Sequence, residues 1–274
     1  MSKILITGGT GFLGRQLFFE AKKRGFAVTL ICRKEPEKEI FELADDIIYS
    51  KDLFEESHLW WEEALKNIDF VIHAAWYVAP GVYLNSTKQL DCLEGSLRFA
   101  KASTKTKLKK FLAIGTCFEY DLDFDLLSTS TPLKPNSLYS ASKASLFIML
   151  DRLFSQTKID FIWPRLFYLY GEGDDENRLH GYITKQVATG EKILLGDGSK
   201  IRDYMDVKDA ARETLQLLSQ KTSGAYNICS GHGISICDFV EKSIRDLNGC
   251  SEVIFDTRPN NTVDPHKVVG VPGK

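Results

Sequence analysis

The sequence predicts an α/β fold built on a doubly wound, mainly parallel sheet, and two observations carry this prediction. At the N-terminus, a short apolar run at residues 3–6 leads into a glycine-rich turn at residues 7–14 and then into a helix-like segment at residues 15–24. Further along the chain, apolar strand-like runs alternate with segments of helical length. Strands that alternate with helices form parallel sheets covered by helices on both faces. The chain is therefore predicted to contain a Rossmann-type sheet that starts at its first residues.

The three glycines of this turn have separate predicted tasks. Gly8 permits a tight turn, Gly11 lets the backbone approach a pyrophosphate, and Gly14 lets the helix pack on the strand. The unpaired N–H groups and positive dipole end of the helix would then face phosphate groups. The spacing G-x-x-G-x-x-G is a variant of the more familiar G-x-G-x-x-G, and its place between a strand and a helix favours a dinucleotide site. Cofactor contacts are predicted at Gly8, Thr10, Gly11, Phe12 and Leu13.

The composition is that of a soluble globular protein. Of the 274 residues, 43% are hydrophobic and 26% are charged, which allows a substantial core. The formal net charge of −2 gives no support for binding nucleic acid or a membrane surface. No apolar run approaches the ~20 residues of a membrane span, and the first residues lead into a strand rather than a secretory signal, so we expect a cytoplasmic protein. The six cysteines include no C-x-x-C pair, so we expect reduced thiols and no metal site.

The residues after the second predicted strand, at residues 27–31, select the cofactor. A carboxylate there would bond to the ribose hydroxyls of NAD, whereas a cation would meet the 2′-phosphate of NADP. The sequence places Cys32, Arg33 and Lys34 at this tip, with no acid. The planar fork of Arg33 suits a phosphate because it makes two charge-assisted hydrogen bonds. NADP(H) is therefore favoured over NAD(H), and a solvated surface pair is the alternative interpretation of the two cations.

Two further strands, predicted at residues 46–50 and 69–75, flank a helix-like segment at residues 58–67. Small residues at the carboxyl end of a strand leave room for a ligand above the sheet, where open α/β proteins bind their ligands. His73 lies near such an end, where a histidine is more often structural than catalytic. The cofactor contacts predicted at or just beyond the ends of these strands are Asp52, Leu53, Ala74 and Ala75.

The pair Tyr139 and Lys143 is the predicted chemical centre. Residues 110–115 are predicted as a fifth strand that ends at Thr116, and the next helix, at residues 138–156, carries the Y-x-x-x-K pair. Four residues make about one helical turn, so both side chains share a face. A tyrosine has an unperturbed pKa near ~10, and a neighbouring ammonium lowers that pKa by favouring the phenolate. Together with the upstream hydroxyl, the pair is interpreted as a tunable acid/base rather than as a solvated helix face.

Taken in order, these motifs resemble the extended short-chain dehydrogenase/reductase superfamily, specifically the NAD-dependent epimerase/dehydratase family acting on nucleotide sugars. The resemblance covers nearly the whole chain. It is carried by residues 7–14, 52–53, 73–75, 116–120, 139–143, 164–171, 196–204, 207–211 and 226–231. The resemblance implies a small C-terminal substrate-binding lobe, with residues 1–170 and 204–223 in the Rossmann domain and residues 171–203 and 224–274 in the lobe.

The resemblance also implies roles for the site residues. Tyr139 would be the general acid/base at a sugar carbonyl or hydroxyl, with Lys143 lowering its pKa and holding the nicotinamide ribose. Thr116 would donate a hydrogen bond to the same sugar oxygen. Arg202 and Arg258 would hold the substrate diphosphate. The family pattern thus adds Tyr139, Lys143 and Pro164 to the cofactor contacts and implies substrate contacts at Thr116, Cys117, Phe118, Arg165, Arg202 and Arg258.

Departures from the family pattern narrow the expected activity. The family's 4,6-dehydratases carry a carboxylate pair directly after the hydroxyl residue, whereas Cys117 and Phe118 stand there in this chain. Glu119 follows, but the alternation of side chains along a strand disfavours its reaching the site. Cys92 and Tyr168 stand where the family often has asparagine, so the placement of the substrate is expected to differ in detail.

We therefore expect an NADPH-dependent reductase of a nucleoside-diphosphate 4-keto-6-deoxy-hexose, which makes a deoxysugar for a surface polysaccharide. The alternative is a nucleotide-sugar 4-epimerase that holds NAD and returns the same hydride. A third alternative, from another class, is a non-catalytic dinucleotide-binding protein, although such relatives typically lose the tyrosine or lysine that this chain retains. The family's usual interface helices, at residues 84–103 and 138–156 here, imply a homodimer.

Overall fold

The computed structural model describes residues 1–257 and 264–274. Its helices are α1 (Phe12–Lys23), α2 (Lys38–Leu43), α3 (His58–Ala64), α4 (Lys88–Ser103), α5 (Leu138–Phe154), α6 (Leu179–Thr189), α7 (Val207–Gln216) and α8 (Ile236–Asp246). Its strands are β1 (Lys3–Thr7), β2 (Ala27–Cys32), β3 (Asp46–Tyr49), β4 (Phe70–His73), β5 (Lys110–Ala113), β6 (Gly115–Thr116), β7 (Asp160–Leu166), β8 (Tyr168–Tyr170), β9 (Ile193–Leu194), β10 (Ile201–Asp206), β11 (Gly224–Ile228), β12 (Gly233–Ser235), β13 (Val253–Ile254) and β14 (Lys267–Val268). A short 3₁₀ helix at Cys117–Glu119 follows β6.

The main sheet is parallel and has the order β11-β7-β5-β4-β1-β2-β3, with β6 also paired to β7. Strand β1 pairs with β2 on one side and with β4 on the other. The chain therefore builds the sheet outward in one direction to β3 and then returns to build it in the other direction from β4. Such a reversal opens a crevice at the carboxyl ends of β1 and β4. The predicted doubly wound α/β fold is confirmed.

The side chains of β1 alternate between two cores. Ile4 and Ile6 pack against α1 and α7 on one face of the sheet, whereas Leu5 packs with Trp61 of α3 and Phe99 of α4 on the other face. All five side chains are fully buried. Because both faces of a parallel sheet are covered, the strand has to be apolar on both sides. This explains why residues 3–6 form a continuous apolar run instead of an alternating one.

The lobe is built on smaller sheets. Strand β10 pairs antiparallel with β12 and parallel with β8 and β14, while β9 pairs with β13. Helices α6 and α8 pack together around Ile183 and Val240, which are fully buried. The lobe therefore has a core of its own and stands beside the carboxyl edge of the main sheet.

The predicted domain boundaries disagree with the observed strand pairing at one strand. Strand β11 was expected in the lobe but lies at the edge of the main sheet, where Tyr226 is opposite Pro164 and Ile228 is opposite Leu166 of β7. Strand β8 pairs with residues 204–206 of β10, and both segments were expected in the Rossmann domain, although they pair outside the main sheet. A short apolar run indicates a strand without indicating which neighbour it pairs with, since that choice depends on tertiary contacts.

The helix predicted at residues 84–103 begins at Lys88, and the residues before it form a loop. Helix α1 begins at Phe12 rather than at residue 15, directly after the glycine turn. In the part of the chain that the structure describes, no helix combines the length and apolar character needed to cross a membrane.

Candidate active site

A cleft of about 1320 Å³ lies at the carboxyl ends of the parallel strands, between the main sheet and the lobe. Open parallel sheets bind their ligands at this edge. The glycine turn and the segments after β4 and β6 line one side of the cleft, while β8, α6 and β10 line the other. The predicted site residues that line it are Gly8, Thr10, Gly11, Phe12, Leu13, Arg33, Asp52, Leu53, Ala74, Ala75, Thr116, Cys117, Phe118, Tyr139, Lys143 and Arg202.

The glycine turn is shaped to accept a pyrophosphate. Gly8 has a φ of +72°, and a Cβ atom there would lie 2.7 Å from the backbone nitrogen of Ala75. A Cβ atom on Gly14 would overlap the carbonyl oxygen of Gly8, so the close packing of α1 on the turn requires glycine. Among the described residues, no side chain caps α1 at Gly11, so the N–H groups of its first turn suit a phosphate. The residues present therefore fit a dinucleotide.

Arg33 stands at the outer end of the cleft, directly after β2. Its side chain is exposed, and it has no ion-pair partner within residues 1–257 and 264–274. Asp52 lies nearby after β3, but its Oδ1 atom accepts a hydrogen bond of 2.9 Å from the backbone N–H of Phe54. One oxygen of the Asp52 carboxylate thus shapes its own turn, and the exposed cations at this end of the cleft are Arg33 and Lys51.

Thr116, Tyr139 and Lys143 meet at the floor of the cleft. The hydroxyl of Thr116 lies close enough to that of Tyr139 to lower the pKa of the phenol, and Tyr139 is only 8% exposed. Lys143 is one helical turn further along α5 and donates a hydrogen bond of 2.7 Å from Nζ to the carbonyl oxygen of Ile114. The same Nζ atom lies 3.7 Å from the ring centroid of Trp76. The structure therefore assembles the predicted trio.

The protonation of the pair differs from the sequence expectation. Burial raises the pKa of Tyr139 well above its usual value, and the neighbouring phenol of Tyr83 raises it further, whereas the hydrogen bond to Thr116 lowers it. Burial lowers the pKa of Lys143 to about 7, although the carboxylate of Glu119 opposes this shift. The net shift of the tyrosine pKa is therefore upward and not downward as predicted, because desolvation of the phenol is the largest effect.

Thr116 is held in place by a capping interaction. Its backbone N–H donates a hydrogen bond of 2.8 Å to Oε1 of Glu119, and its hydroxyl accepts one from the N–H of Phe118. This reciprocal pair is a capping box around the 3₁₀ helix. The carboxylate of Glu119 is completely buried and also accepts hydrogen bonds from Trp163. Glu119 is thus directed into the core, as the strand alternation suggested.

The prediction that Arg165 contacts the substrate is wrong. Its guanidinium is 1% exposed and forms an ion pair of 2.7 Å with Glu119 and a hydrogen bond of 3.1 Å to the hydroxyl of Tyr120. The rings of Tyr120 and Phe147 each lie 4.6 Å from its central carbon. Arg165 lies inside β7, opposite Gly115 of β6, and its side chain enters the core rather than the cleft.

The prediction that Pro164 contacts the cofactor is also wrong. Pro164 is buried within β7, paired with Tyr226 of β11, one residue before Arg165. Strand β7 reaches the cleft only at its end, where Leu166 and the following Phe167 line the wall. The prediction placed the contact too early in the strand. A sequence motif gives the order of residues along a strand but does not show which of them lie at the cleft.

Arg202 lines the lobe side of the cleft, as predicted, but its guanidinium is already paired. Nη2 donates a hydrogen bond of 2.8 Å to Oδ2 of Asp264 and another to the carbonyl oxygen of Pro265, while Nη1 donates to the carbonyl oxygen of His266. Arg202 is only 2% exposed. The other cation predicted for the diphosphate, Arg258, lies outside the described residues.

His73 has a structural role, which confirms the favoured interpretation. Its Nδ1 atom is 2.7 Å from the hydroxyl of Thr7, and its Nε2 atom is 2.8 Å from the hydroxyl of Ser96. Burial, together with the charge of Lys143, lowers the pKa of His73 to about 3. The neutral ring thus links β1, β4 and α4 beneath the cleft.

Several residues of the cleft were not predicted from the sequence. Trp76 follows the predicted contact Ala75 directly, and its position next to that strand end was the only available signal. Tyr83 was assigned to no site, and its ring meets that of Tyr139 edge to face at 4.9 Å. Asp264 lines the cleft beside Arg202, but its large distance from Arg202 in sequence gave no signal.

The cysteines form no disulfide and no metal site in the structure. All six are free, and Cys92 and Cys117, which line the cleft, are each 2% exposed. Burial raises the pKa of both thiols. Across residues 1–257 and 264–274, no group of three histidine, cysteine, aspartate or glutamate side chains is placed to hold a metal ion.

Comparisons with known proteins agree with this geometry. Two relatives resemble the chain along much of its length. The dTDP-6-deoxy-L-talose 4-dehydrogenase (NAD(+)) of Aggregatibacter actinomycetemcomitans is 24% identical over 97% of this chain and 98% of that protein. The CDP-abequose synthase of Salmonella muenchen is 25% identical over 85% of this chain and 76% of that protein. The crystal structure of UDP-glucose 4-epimerase of Thermotoga maritima with UDP-glucose has the same fold, with a TM-score of 0.86 and 20% identity over 98% of this chain and 90% of that one.

A known protein family matches the part of the chain that contains the glycine turn, the trio of Thr116, Tyr139 and Lys143, and β11. The match to the NAD dependent epimerase/dehydratase family extends over residues 4–229. A dinucleotide cofactor, NAD or NADP, is typical of this family. Because the match spans most of the chain, this protein belongs to the NAD dependent epimerase/dehydratase family.

Proposed function

We propose that this protein is an NADPH-dependent reductase of a nucleoside-diphosphate 4-keto-6-deoxy-hexose in deoxysugar biosynthesis. The observation that carries the proposal is that Thr116 and Tyr139 lie together on the floor of the cleft, with Lys143 one helical turn away. This trio stands between a turn that fits a dinucleotide and a lobe that presents Arg202. The relative with the most complete mutual coverage in the comparisons above is named for an oxidation or reduction at C4 of a 6-deoxy sugar.

The protonation of Tyr139 supports reduction of a ketone. Because burial raises its pKa, the phenol holds its proton at neutral pH and suits a general acid that donates to a carbonyl oxygen as this oxygen gains negative charge. The hydroxyl of Thr116 supplies a second hydrogen bond to the same oxygen. When bound, the nicotinamide supplies the hydride. When its amine is protonated, Lys143 then stabilises the phenolate that remains on Tyr139.

The positions after Thr116 support a reductase over a dehydratase. Cys117 and Phe118 line the cleft there, and neither has a carboxyl group that would remove water from the sugar. Glu119 is committed to the core by Trp163 and by its capping bond. An acid/base pair that has no carboxyl group beside it to remove water from the sugar suits the reduction of a ketone.

Arg33 supports NADP(H) over NAD(H). Its exposed guanidinium stands after β2 at the end of the cleft, where a 2′-phosphate would meet it. Since no acidic side chain follows β2 directly, the ribose hydroxyls of NAD would lack their usual partner.

A nucleotide-sugar 4-epimerase that holds NAD is the second candidate. A tyrosine held by Thr116 can also take a proton from a sugar hydroxyl, so the floor of the cleft serves both directions of hydride transfer. A non-catalytic dinucleotide-binding protein is disfavoured, because Tyr139 and Lys143 are both retained and placed together.

The deciding experiment incubates the purified protein with NADPH and a panel of 4-keto-6-deoxy nucleotide sugars while NADPH absorbance is followed. We expect loss of absorbance with at least one of these sugars. Interconversion of ordinary nucleotide hexoses without added cofactor, together with no NADPH loss across the panel, would replace the reductase by the epimerase.

We further propose a homodimer formed through α4 and α5. Large apolar side chains on the outer faces of these helices, among them Leu90, Ile148 and Met149, are each about half exposed, and burial of such groups favours association. Light scattering of the purified protein tests this, and a monomer at micromolar concentration would contradict it.

A further inference from the structure

The loop between β4 and α4 touches both members of the catalytic pair. We call residues 76–85 the wall loop, since residues 76–81 and Tyr83 line the cleft beside α5. At its start, the Trp76 ring lies under the ammonium of Lys143, with 3.7 Å between Nζ and the ring centroid. Near its end, the Tyr83 ring meets Tyr139 edge to face at 4.9 Å and 84°. The loop therefore presents one aromatic ring to each of the two residues.

The wall loop also supports the first turn of α5. The backbone N–H of Tyr139 donates a hydrogen bond of 2.8 Å to the carbonyl oxygen of Leu84. The N–H of Leu138 donates one of 3.2 Å to Oδ1 of Asn85. The first N–H groups of a helix have no partner inside the helix, so the loop completes this helix start. The position of the Tyr139 backbone thus depends on the position of the loop.

A single buried amide fixes the loop. Gln89, in the first turn of α4, is completely buried. Its Oε1 atom accepts a hydrogen bond of 2.6 Å from Nε1 of Trp76, and its Nε2 atom donates to the carbonyl oxygens of Tyr77, at 3.0 Å, and Tyr83, at 2.8 Å. Both N–H groups and the oxygen of the amide are therefore used. The three partners are Trp76 at the start of the loop, Tyr77 directly after it and Tyr83 near the end of the loop.

The rest of the loop has little to hold it. It contains no helix or strand, Gly81 has a φ of +80°, and Val78 and Val82 are more than half exposed. Its internal backbone bonds include those from the N–H groups of Val82 and Tyr83 to the carbonyl oxygen of Ala79. The amide of Gln89 is thus a buried group that bonds to both sides of the stretch between the two aromatic contacts.

We propose that Gln89 is a positioning residue that keeps Trp76 against Lys143 and Tyr83 against Tyr139, and so fixes both members of the catalytic pair at once. The proposal rests on the proposed function for its effect on turnover. Its effect on the structure of α5 is independent of any activity.

Two substitutions and a matched control test this role. Gln89→Leu removes all three hydrogen bonds at similar volume, whereas Gln89→Glu keeps an acceptor for Trp76 and loses both donors. Gln186→Leu is the control, because Gln186 is also a buried glutamine that donates to a backbone carbonyl, that of Lys192 in the lobe, away from the cleft. Thermal melting first confirms that each variant is folded.

The first readout needs no substrate or cofactor. Hydrogen–deuterium exchange of the peptide that contains Leu138 and Tyr139 reports directly on the bonds to the wall loop. We expect exchange there to rise by about tenfold or more in Gln89→Leu and Gln89→Glu, and to stay at the wild-type rate in Gln186→Leu. Unchanged exchange in both Gln89 variants would overturn the proposal, and if Gln89→Leu does not fold, Gln89→Glu alone decides it.

The second readout is the separation of kcat from binding. We expect kcat to fall by about 100-fold in Gln89→Leu, since a shift of about 1 Å in a reacting group has an effect of this size, while the cofactor Kd stays within about threefold. A fall no larger than that of Gln186→Leu would overturn the role in catalysis. If the wild-type protein shows neither reductase nor epimerase activity, the proposed function fails. The hydrogen–deuterium exchange result still decides whether Gln89 holds the wall loop in position.

Discussion

Replacing Glu119 by glutamine is expected to destabilise the protein strongly although it changes little in shape. In the folded chain, the Glu119 carboxylate is completely buried and pairs at 2.7 Å with Arg165, which is 1% exposed. The substitution leaves the guanidinium buried without a counter-charge, and such a loss costs about 3–5 kcal/mol of unfolding free energy. Nη2 of Arg165 already has no hydrogen-bond partner among the described residues, so no second acceptor is at hand to compensate.

Urea unfolding followed by fluorescence measures this loss. The control is the double variant Glu119→Gln with Arg165→Met, which removes both charges and leaves an apolar side chain between the rings of Tyr120 and Phe147. We expect the double variant to come within about 1–2 kcal/mol of the wild type, because a buried ion pair is often replaced at little cost by apolar groups. A loss below about 1 kcal/mol in the single variant, or a double variant no more stable than the single one, would refute the reasoning.

Three further predictions follow from the cleft. Tyr139→Phe should lower kcat by about 10²–10⁴-fold, because the general acid is lost. Cofactor binding, measured by fluorescence, should stay near that of the wild type. Unchanged turnover would remove Tyr139 from the mechanism. Arg33→Asp should weaken NADPH binding by roughly tenfold or more relative to NADH, as the charged partner of the 2′-phosphate is lost, and equal effects on both cofactors would argue against this contact. Because the pKa of His73 is about 3 in the folded chain and near ~6.5 when unfolded, the unfolded chain binds the proton first as pH falls. The unfolding free energy should therefore drop by about 1.4 kcal/mol per pH unit below pH 6.5 on account of this residue, and His73→Gln should show a shallower slope between pH 6.5 and 5.

The parts of the site that were predictable from sequence depend on short-range geometry. The glycine turn needs Gly8 and Gly14 because backbone atoms a few residues apart would otherwise collide. Tyr139 and Lys143 share a face because they are one turn apart on one helix. In both cases the residues that decide the geometry are neighbours in the chain, so spacing alone predicts the arrangement.

The parts that were missed depend on which distant segments meet. Arg165 was assigned to the substrate because its residue type suits phosphate, but its partner, Glu119, lies 46 residues away. The residue facing Arg202 is Asp264, 62 residues further on, and the strand beside β7 is β11 rather than a lobe neighbour. A charged residue in the sequence indicates that a partner is needed, but the fold decides whether a ligand or the protein itself supplies it.

The pairing of Arg202 with Asp264 has a consequence for any anion that enters the lobe side of the cleft. The guanidinium is nearly inaccessible and donates to a carboxylate and to neighbouring carbonyl oxygens. An incoming phosphate therefore meets a cation that already shares the carboxylate of Asp264 with Lys200, and it has to compete with that carboxylate for the guanidinium. The net attraction at this point is the difference between two ion pairs, so selectivity here depends on geometry more than on charge.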